Sequence, residues 1–230
     1  MHHTPRRHPR RIRRALGLAL ATALLTAGAT ACGGSGDGGS GSDQAPVSAE
    51  STGSVKRGTV LDTPFEKPDL VLTDTEGKTY DLVEETRGRP TLVYFGYTHC
   101  PDVCPLTMSN IAVAKSKLPE EDQDRLRVVF VTSDPERDTP ESLGKWLRAQ
   151  DPDFIGLTGD FDTIQAGARS LGISLEPPVV EKDGDIVSTH GTQVLAFLPG
   201  DDKAHVLYAS DVPVEVYEED LPKLVEGKLP

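Results

Sequence analysis

The 230-residue sequence lacks features that would assign it to several large classes of protein. Its three cysteines are too few for a disulfide scaffold. With 37% hydrophobic and 26% charged residues, it is neither a polytopic membrane protein nor a wholly disordered chain. Six of its 24 basic residues precede residue 32, so 18 remain against 36 acidic residues. The rest of the chain, with this excess of acidic residues, repels nucleic acid, and we expect no nucleic-acid partner.

The N-terminal 31 residues have the pattern of a secretory signal. Residues 6–14 contain six arginines, and residues 15–31 read ALGLALATALLTAGATA. A charged segment, a short apolar segment and small residues at its end are typical of an exported protein. The alternative is an uncleaved anchor, for which this apolar run is at the lower limit of spanning length.

Cys32 follows this segment directly and resembles the cysteine of a bacterial lipoprotein box. In such a box the cysteine receives lipid and becomes the mature N-terminus. Leucine is usual where Ala29 stands, and Ala29 and Ala31 also suit conventional signal cleavage at the same bond. The resemblance implies lipidation of Cys32 and a protein anchored to the outer face of the cell membrane.

A flexible tether is predicted between Cys32 and the folded part of the chain. Residues 33–54 read GGSGDGGSGSDQAPVSAESTGS. Gly/Ser-rich chains behave as coils, and this one reaches about 25 Å. The chain therefore divides into a signal peptide over 1–31, a Cys-anchored tether over 32–58 and a globular domain over 59–230.

The globular part predicts an α/β fold, because apolar runs typical of buried strands alternate with helical patterns. A hairpin is expected over 70–82, and a turn-rich series of antiparallel strands follows residue 184. Together these elements predict a central mixed sheet flanked by helices, with an N-terminal β-hairpin. The expected strands are 91–97, 127–132, 154–157, 185–188, 194–198 and 205–208. The expected helices are 105–118, 139–150, 161–171 and 214–225, the last interrupted or offset at Pro222.

The strongest chemical signal is a pair of cysteines in the segment THCPDVCP, residues 98–105. It lies where a buried strand meets a helix, the edge at which open sheets bind ligands. Cys100 and Cys104 are four residues apart, about one helical turn. With the helix starting near Asp102 or Val103, backbone N–H groups point towards the sulfurs and favour thiolates. Thiolates are soft ligands that suit copper(I).

Two sulfurs alone form either a redox pair or an incomplete metal site, so a third donor decides between them. His99 adjoins Cys100 but points to the opposite face of an extended strand end. His205 lies on a predicted surface strand. His190 lies between strand patterns, in a segment that could carry it over the helix start. The residues alone leave His190 open between a metal ligand and a structural histidine.

Three ordered motifs make the chain similar to the Sco/SenC family over roughly residues 59–227. The first is YFGYTHCPDVCP at 94–105, and the second is VTSDPERDTPE at 131–141. The third is Thr-His-Gly at 189–191, followed by a strand pattern. The resemblance implies a thioredoxin-like fold, membrane attachment and a domain that faces away from the cytoplasm.

Carried over residue by residue, the resemblance implies that Cys100, Cys104 and His190 bind copper, as Cu(I) or Cu(II). Thr189 departs from the family pattern, which has aspartate before the histidine, and this puts the orientation of His190 in question. Asp134 and Asp138 are expected to order the loop before the next helix, with the partner surface or the site as alternatives. Met108 shares a helix with Cys104 and is expected in the core.

The residues and the resemblance to the Sco/SenC family together imply two alternative functions. The first is a metallochaperone that receives copper, with another copper chaperone as a candidate donor, and delivers it to the copper-centre subunit of cytochrome c oxidase. The second is a thiol–disulfide oxidoreductase that reduces the cysteines of the oxidase copper site or of other exported proteins. In it Cys100 and Cys104 form a redox pair, with a disulfide in the oxidised state. Only the first requires His190. We expect the metallochaperone, and hence a protein that is not primarily an enzyme.

Overall fold

The structure is a computed structural model that describes residues 57–182, 184 and 186–230. Within these residues the chain forms ten strands and six helices. The strands are β1 Thr59–Glu66, β2 Val71–Asp74, β3 Thr79–Asp81, β4 Thr91–Gly96, β5 Arg127–Thr132, β6 Ile155–Thr158, β7 Val179–Val180, β8 Ile186–Val187, β9 Val194–Phe197 and β10 Lys203–Tyr208. The helices are α1 Leu82–Glu85, α2 Val103–Ser116, α3 Glu120–Arg125, α4 Pro140–Arg148, α5 Phe161–Ser170 and α6 Val214–Val225. None of these described helices has both the length and the apolar character needed to cross a membrane.

Eight strands form one mixed sheet in the order β1-β10-β9-β4-β5-β6-β2-β3. Strand β5 pairs in parallel with β4 and with β6, and the remaining pairs are antiparallel. The predicted hairpin is the antiparallel pair β2–β3. The predicted mixed sheet flanked by helices is therefore confirmed.

Strand β4 is buried on both faces and separates two hydrophobic cores. Leu92 and Tyr94 belong to the core that contains buried residues of α2, α4 and α6. Val93 and Phe95 belong to the opposite core, which α5 covers. Burying one such side chain fully stabilises the fold by about 1.5–3 kcal/mol relative to exposure. The uninterrupted apolar run in the sequence reflects this two-sided burial.

The predicted start of α4 is confirmed in atomic detail. Thr139 is the N-cap, and its hydroxyl accepts a hydrogen bond from the backbone N–H of Ser142 at 3.3 Å. Pro140 is the first helical residue, where its missing N–H removes no intrahelical hydrogen bond. This cap places the end of the preceding loop, which carries the second motif.

Several elements differ from the sequence prediction. Strand β1 was not predicted, because Asp62 and Pro64 break its alternation; it is an edge strand whose register shifts between Val60 and Phe65. Helices α1 and α3 and strand β7 are short elements that were also missed. The interruption of α6 at Pro222 was wrong, since the helix runs through it. The ring removes one backbone hydrogen bond, but the buried Leu221 beside it keeps the helix packed.

The topology brings two distant segments to the same end of the sheet. Strands β4 and β9 are antiparallel neighbours, with Tyr94 opposite Val194. The chain leaves β4 after Gly96 at the end where it enters β9 at Val194. The loop of the cysteine pair and the segment before β9 therefore lie side by side.

Candidate metal centre

The two cysteines lie where the chain passes from β4 into α2. Helix α2 begins at Val103, and the side chain of Asp102, the N-cap residue, makes no capping hydrogen bond. The backbone N–H of Cys104 instead donates to Sγ of Cys100 at 3.4 Å. One helix-start N–H thus points at the sulfur of Cys100, as the sequence predicted. The thiolate expected at Cys104 was wrong, because burial raises the pKa of that thiol.

His190 presents one ring nitrogen to this sulfur pair. Its Nδ1 lies 2.7 Å from the carbonyl oxygen of Gly191. A carbonyl only accepts hydrogen bonds, so Nδ1 is the donor, and in the neutral ring Nε2 keeps its lone pair. That Nε2 lies 3.8 Å from Sγ of Cys100. The ring is therefore held in the tautomer that a metal ligand requires.

The structure brings Cys100, Cys104 and His190 together. One candidate ligand atom from each residue lies within 4.8 Å of the other two. Both cysteines are buried thiols with no disulfide, and His190 is half-buried. The distance between imidazole and sulfurs, which the residues alone left open, is short enough for all three to hold a single ion.

Cys104 lies against the core beneath the site. Burial raises the pKa of its thiol to about 12. The hydroxyl of Tyr94 donates to Sγ of Cys104 at 3.4 Å, and burial raises the pKa of this phenol as well. A metal binds cysteine as thiolate, so an ion that binds Cys104 displaces a proton.

Two glycines leave room for the cysteines and the imidazole. A Cβ on Gly96 would lie 2.8 Å from Sγ of Cys104 and 2.8 Å from Cε1 of Tyr94. A Cβ on Gly191 would lie 3.3 Å from the carbonyl oxygen of Phe95. Because neither position carries a side chain, the end of β4 can lie close both to α2 and to the segment that contains His190.

The donor set suits a soft metal ion. Among residues 57–182, 184 and 186–230, Cys100, Cys104 and His190 form the one group of three or more metal-ligating side chains. Two sulfurs and one imidazole nitrogen fit copper(I), whereas a structural zinc site is closed by four ligands. Three donors leave a coordination position open.

The family model described as SCO1/SenC matches residues 60–226, well over half of the chain. The chain belongs to the SCO1/SenC family. Among its relatives is a provisionally named copper-binding protein of Stutzerimonas stutzeri, 35% identical over 140 residues that cover 60% of this chain and 68% of that protein. The mitochondrial protein SCO2 of Saccharomyces cerevisiae is 34% identical over 46% of this chain, which spans only 35% of that protein.

Solved structures of this family share the fold. Copper-bound ScoI of Bradyrhizobium japonicum is 32% identical, with a TM-score of 0.57 over 70% of this chain and 98% of that chain. Apo Sco1 of Thermus thermophilus is 29% identical, with a TM-score of 0.63 over 72% of this chain and 94% of that chain. The fold and family predicted from the three motifs are therefore confirmed.

Asp138 has a role in this family member that sequence reasoning missed. Its carboxylate is fully buried and accepts hydrogen bonds from the backbone N–H and hydroxyl of Thr98, at 2.9 and 2.5 Å. It also accepts one from the hydroxyl of Thr132 at 2.7 Å. Asp138 thus ties the start of the cysteine loop to the end of β5, a contact beyond the local loop order that the sequence favoured over a role in the site or partner surface.

Asp134 is also buried, at 1% exposure, so neither aspartate contributes to an exposed partner surface. Its carboxylate accepts a hydrogen bond from Ser188, two residues before His190. This contact links the second motif to the third, and no local sequence pattern indicated it. Thr189, which replaces the usual aspartate, bonds through its hydroxyl to the backbone of Glu176, and the carbonyl of Gly191 orients the imidazole instead.

The other candidate residues are not part of the donor group. His99 is exposed, with Nδ1 3.6 Å from a carboxylate oxygen of Asp138. His205 lies on β10 and pairs with Asp201 at 2.9 Å. Met108 is fully buried in the core, as predicted. Cys32, together with the predicted signal and nearly all of the tether, lies outside the described residues.

Proposed function

We propose that this chain is a membrane-tethered, extracytoplasmic metallochaperone that binds copper and delivers it to the binuclear copper centre of cytochrome c oxidase. The observation that carries the proposal is the convergence of the donor atoms of Cys100, Cys104 and His190 within 4.8 Å. Copper is the cargo of this site. The copper-bound relative, 32% identical, supports the assignment of the ion.

The geometry suits transfer of copper by ligand exchange. Cys104 is fully buried, Cys100 is 6% exposed and His190 is half-buried, so the site opens to solvent on the side of Cys100 and His190. An acceptor sulfur or nitrogen can enter the open position while a bond to His190 breaks. The oxidation state of the ion does not change in this exchange, and the protons displaced from the thiols on loading return when copper leaves.

The location and acceptor rest on the resemblance and on the N-terminal sequence. The family resemblance implies an oxidase copper centre as acceptor. A lipid on Cys32 and the Gly/Ser-rich tether would hold the domain near the membrane, where an oxidase subunit lies. Tethering of this kind raises the effective concentration of one partner for the other.

The proposal is tested by metal analysis of purified wild type and His190→Ala, with thiols held reduced. His205→Ala is the matched control, since His205 lies on β10 and pairs with Asp201. We expect stoichiometric copper in wild type and in His205→Ala, and strongly reduced retention in His190→Ala. Oxidase assembly in copper-limited cells should follow the same order. Normal assembly with His190→Ala would refute the delivery role.

A second candidate function, thiol–disulfide exchange, is favoured by the two unpaired thiols, whose sulfurs lie within 4.8 Å of each other. Cys100 is the more exposed, so its thiolate would attack a target disulfide and release one target thiolate. Cys104 would then attack the mixed disulfide, releasing the second target thiol and leaving a Cys100–Cys104 disulfide. This chemistry does not use His190, so His190→Ala should retain exchange activity if the reductase role is the physiological one.

A further inference from the structure

The segment that carries His190 is preceded by a hairpin whose strands do not pair with the main sheet. Strands β7 and β8 pair with each other in a separate two-stranded sheet, within the described part of the chain. The side chains of this hairpin are exposed, with Val179 at 60% and Val180 at 67%. A two-stranded hairpin alone is marginally stable in water. Another contact must therefore hold the end of this hairpin near the cysteines.

That contact is made by Ser188, which follows β8 directly. Ser188 is only 3% exposed, although Ile186 and Val187 before it are exposed. Its hydroxyl donates to Oδ2 of Asp134 at 2.9 Å. Asp134 lies in the loop that follows β5, a strand of the main sheet. This hydrogen bond therefore attaches the hairpin to the body of the domain.

Arg137 completes the contact and extends it to the site. Its Nε donates to the same oxygen of Asp134 at 2.5 Å, and its Nη2 donates to the hydroxyl of Ser188 at 3.3 Å. The positive guanidinium compensates the buried carboxylate, so the group is electrically balanced. The guanidinium also lies over the ring of Tyr97, 5.9 Å from its centroid, and the Tyr97 ring lies 5.5 Å from the ring of His190.

We propose that Ser188, Asp134 and Arg137 form a latch that positions His190 over the cysteine pair. The three are positioning residues, since none of their atoms belongs to the donor group. The latch acts two residues before His190 through Ser188, and beside the imidazole through Arg137 and Tyr97. Its consequence for copper rests on the function proposed above, but its effect on the imidazole is a property of the metal-free domain.

The metal-free effect is tested by nuclear Overhauser contacts between the rings of Tyr97 and His190. These contacts are expected in the wild-type domain, because the ring centroids lie 5.5 Å apart. Ser188→Ala should weaken or abolish them while the contacts within the core persist. Ser116→Ala is the control, since it removes an exposed serine hydroxyl at the far end of α2. Unchanged ring contacts in Ser188→Ala would overturn the latch.

The copper effect is tested by a double-mutant cycle on copper(I) affinity, with wild type, Ser188→Ala, His190→Ala and the double variant. We expect Ser188→Ala to weaken binding about tenfold, as for loss of one hydrogen bond to a charged acceptor. In the His190→Ala background the same change should have no effect, because the latch acts only through the imidazole.

The outcomes separate the two claims. An equal loss in both backgrounds would show that Ser188 acts on the cysteines or on the fold, which overturns the latch. Wild-type affinity in Ser188→Ala would do the same. If the wild-type domain itself retains no copper, the proposed function fails, and the ring contacts of the metal-free domain still decide whether the latch exists.

Discussion

The hydroxyl of Tyr94 donates a hydrogen bond to Sγ of Cys104 at 3.4 Å, from within the core beneath the site. Tyr94 is 1% exposed and lies on β4, the strand that the cysteine loop follows. The more buried of the two sulfurs is therefore in contact with a rigid part of the sheet. A hydrogen bond to the sulfur of a metal ligand changes how strongly that sulfur donates electrons to the metal.

Tyr94→Phe should change the electronic properties of the site more than its stability. We expect the sulfur-to-copper charge-transfer band of the Cu(II)-loaded protein to move to lower energy, because the sulfur becomes more electron-rich. Loss of the hydrogen bond should lower the free energy of unfolding by about 1 kcal/mol. Tyr208→Phe is the control, since Tyr208 donates to the buried Asp220 instead. A band at the wild-type position would contradict this role of Tyr94.

Gly96→Ala should damage both the site and the fold. The new methyl group would lie 2.8 Å from Sγ of Cys104, in a buried position that does not tolerate added volume. Overpacking of this kind destabilises a core by about 1–3 kcal/mol. Urea unfolding and copper titration should both show the loss. In Gly200→Ala, where the methyl group meets nothing within 4 Å, both measurements should match wild type.

Asp138→Ala should destabilise the domain through the cysteine loop. It leaves the backbone N–H and hydroxyl of Thr98 and the hydroxyl of Thr132 without their acceptor. Leaving buried donors unpaired lowers the free energy of unfolding by about 2–3 kcal/mol. The measurement is urea denaturation, with Glu136→Gln as the control because Glu136 is exposed in the same loop. Equal midpoints for the two variants would show that the loop does not depend on Asp138.

Alkaline pH should destabilise the domain in part through Tyr80. Burial raises the pKa of this phenol from 10.0 to about 12, so the folded state holds the proton more tightly than the unfolded chain. The contribution is fully present below pH 10.0 and is lost as the pH rises towards 12. Urea midpoints across this window should fall less steeply in Tyr80→Phe than in wild type. Parallel curves for the two proteins would contradict the assignment.

Lipidation of Cys32 is tested by labelling cells with radioactive fatty acid. Label should enter the wild-type protein and be absent from Cys32→Ser, because the thiol is the attachment point of a lipoprotein anchor. Cys32→Ser should also leave the membrane fraction, while its purified domain binds copper as wild type does. Equal incorporation in the two proteins would show that the signal is of another kind.

The central strands and the long helices could be predicted because their signals are local. Strands β4 and β5 are continuous apolar runs, and Thr139 with Pro140 marks the start of α4. The edge strand β1 could not be predicted in this way, since an edge strand whose register shifts between Val60 and Phe65 needs no regular alternation.

The site was only partly predictable for the same physical reason. Cys100 and Cys104 lie within one turn of each other, but His190 reaches Cys100 across 90 residues through the pairing of β4 with β9. The acceptor that orients its ring is the carbonyl of the next residue, Gly191, which no side-chain motif records. The hydrogen bonds of Asp138 and Ser188 likewise join separate segments, so their roles depend on the folded topology.

The adjacency of β4 and β9 has a consequence for the order of events during synthesis. A nascent chain that has emerged as far as α5 contains both cysteines but no His190, and it lacks the strand that brings the imidazole to them. Such a chain can offer a metal only the two sulfurs of this site, without the imidazole. The third donor arrives only when β9 has been made and has paired with β4, so the group of three ligands is among the last parts of the domain to assemble.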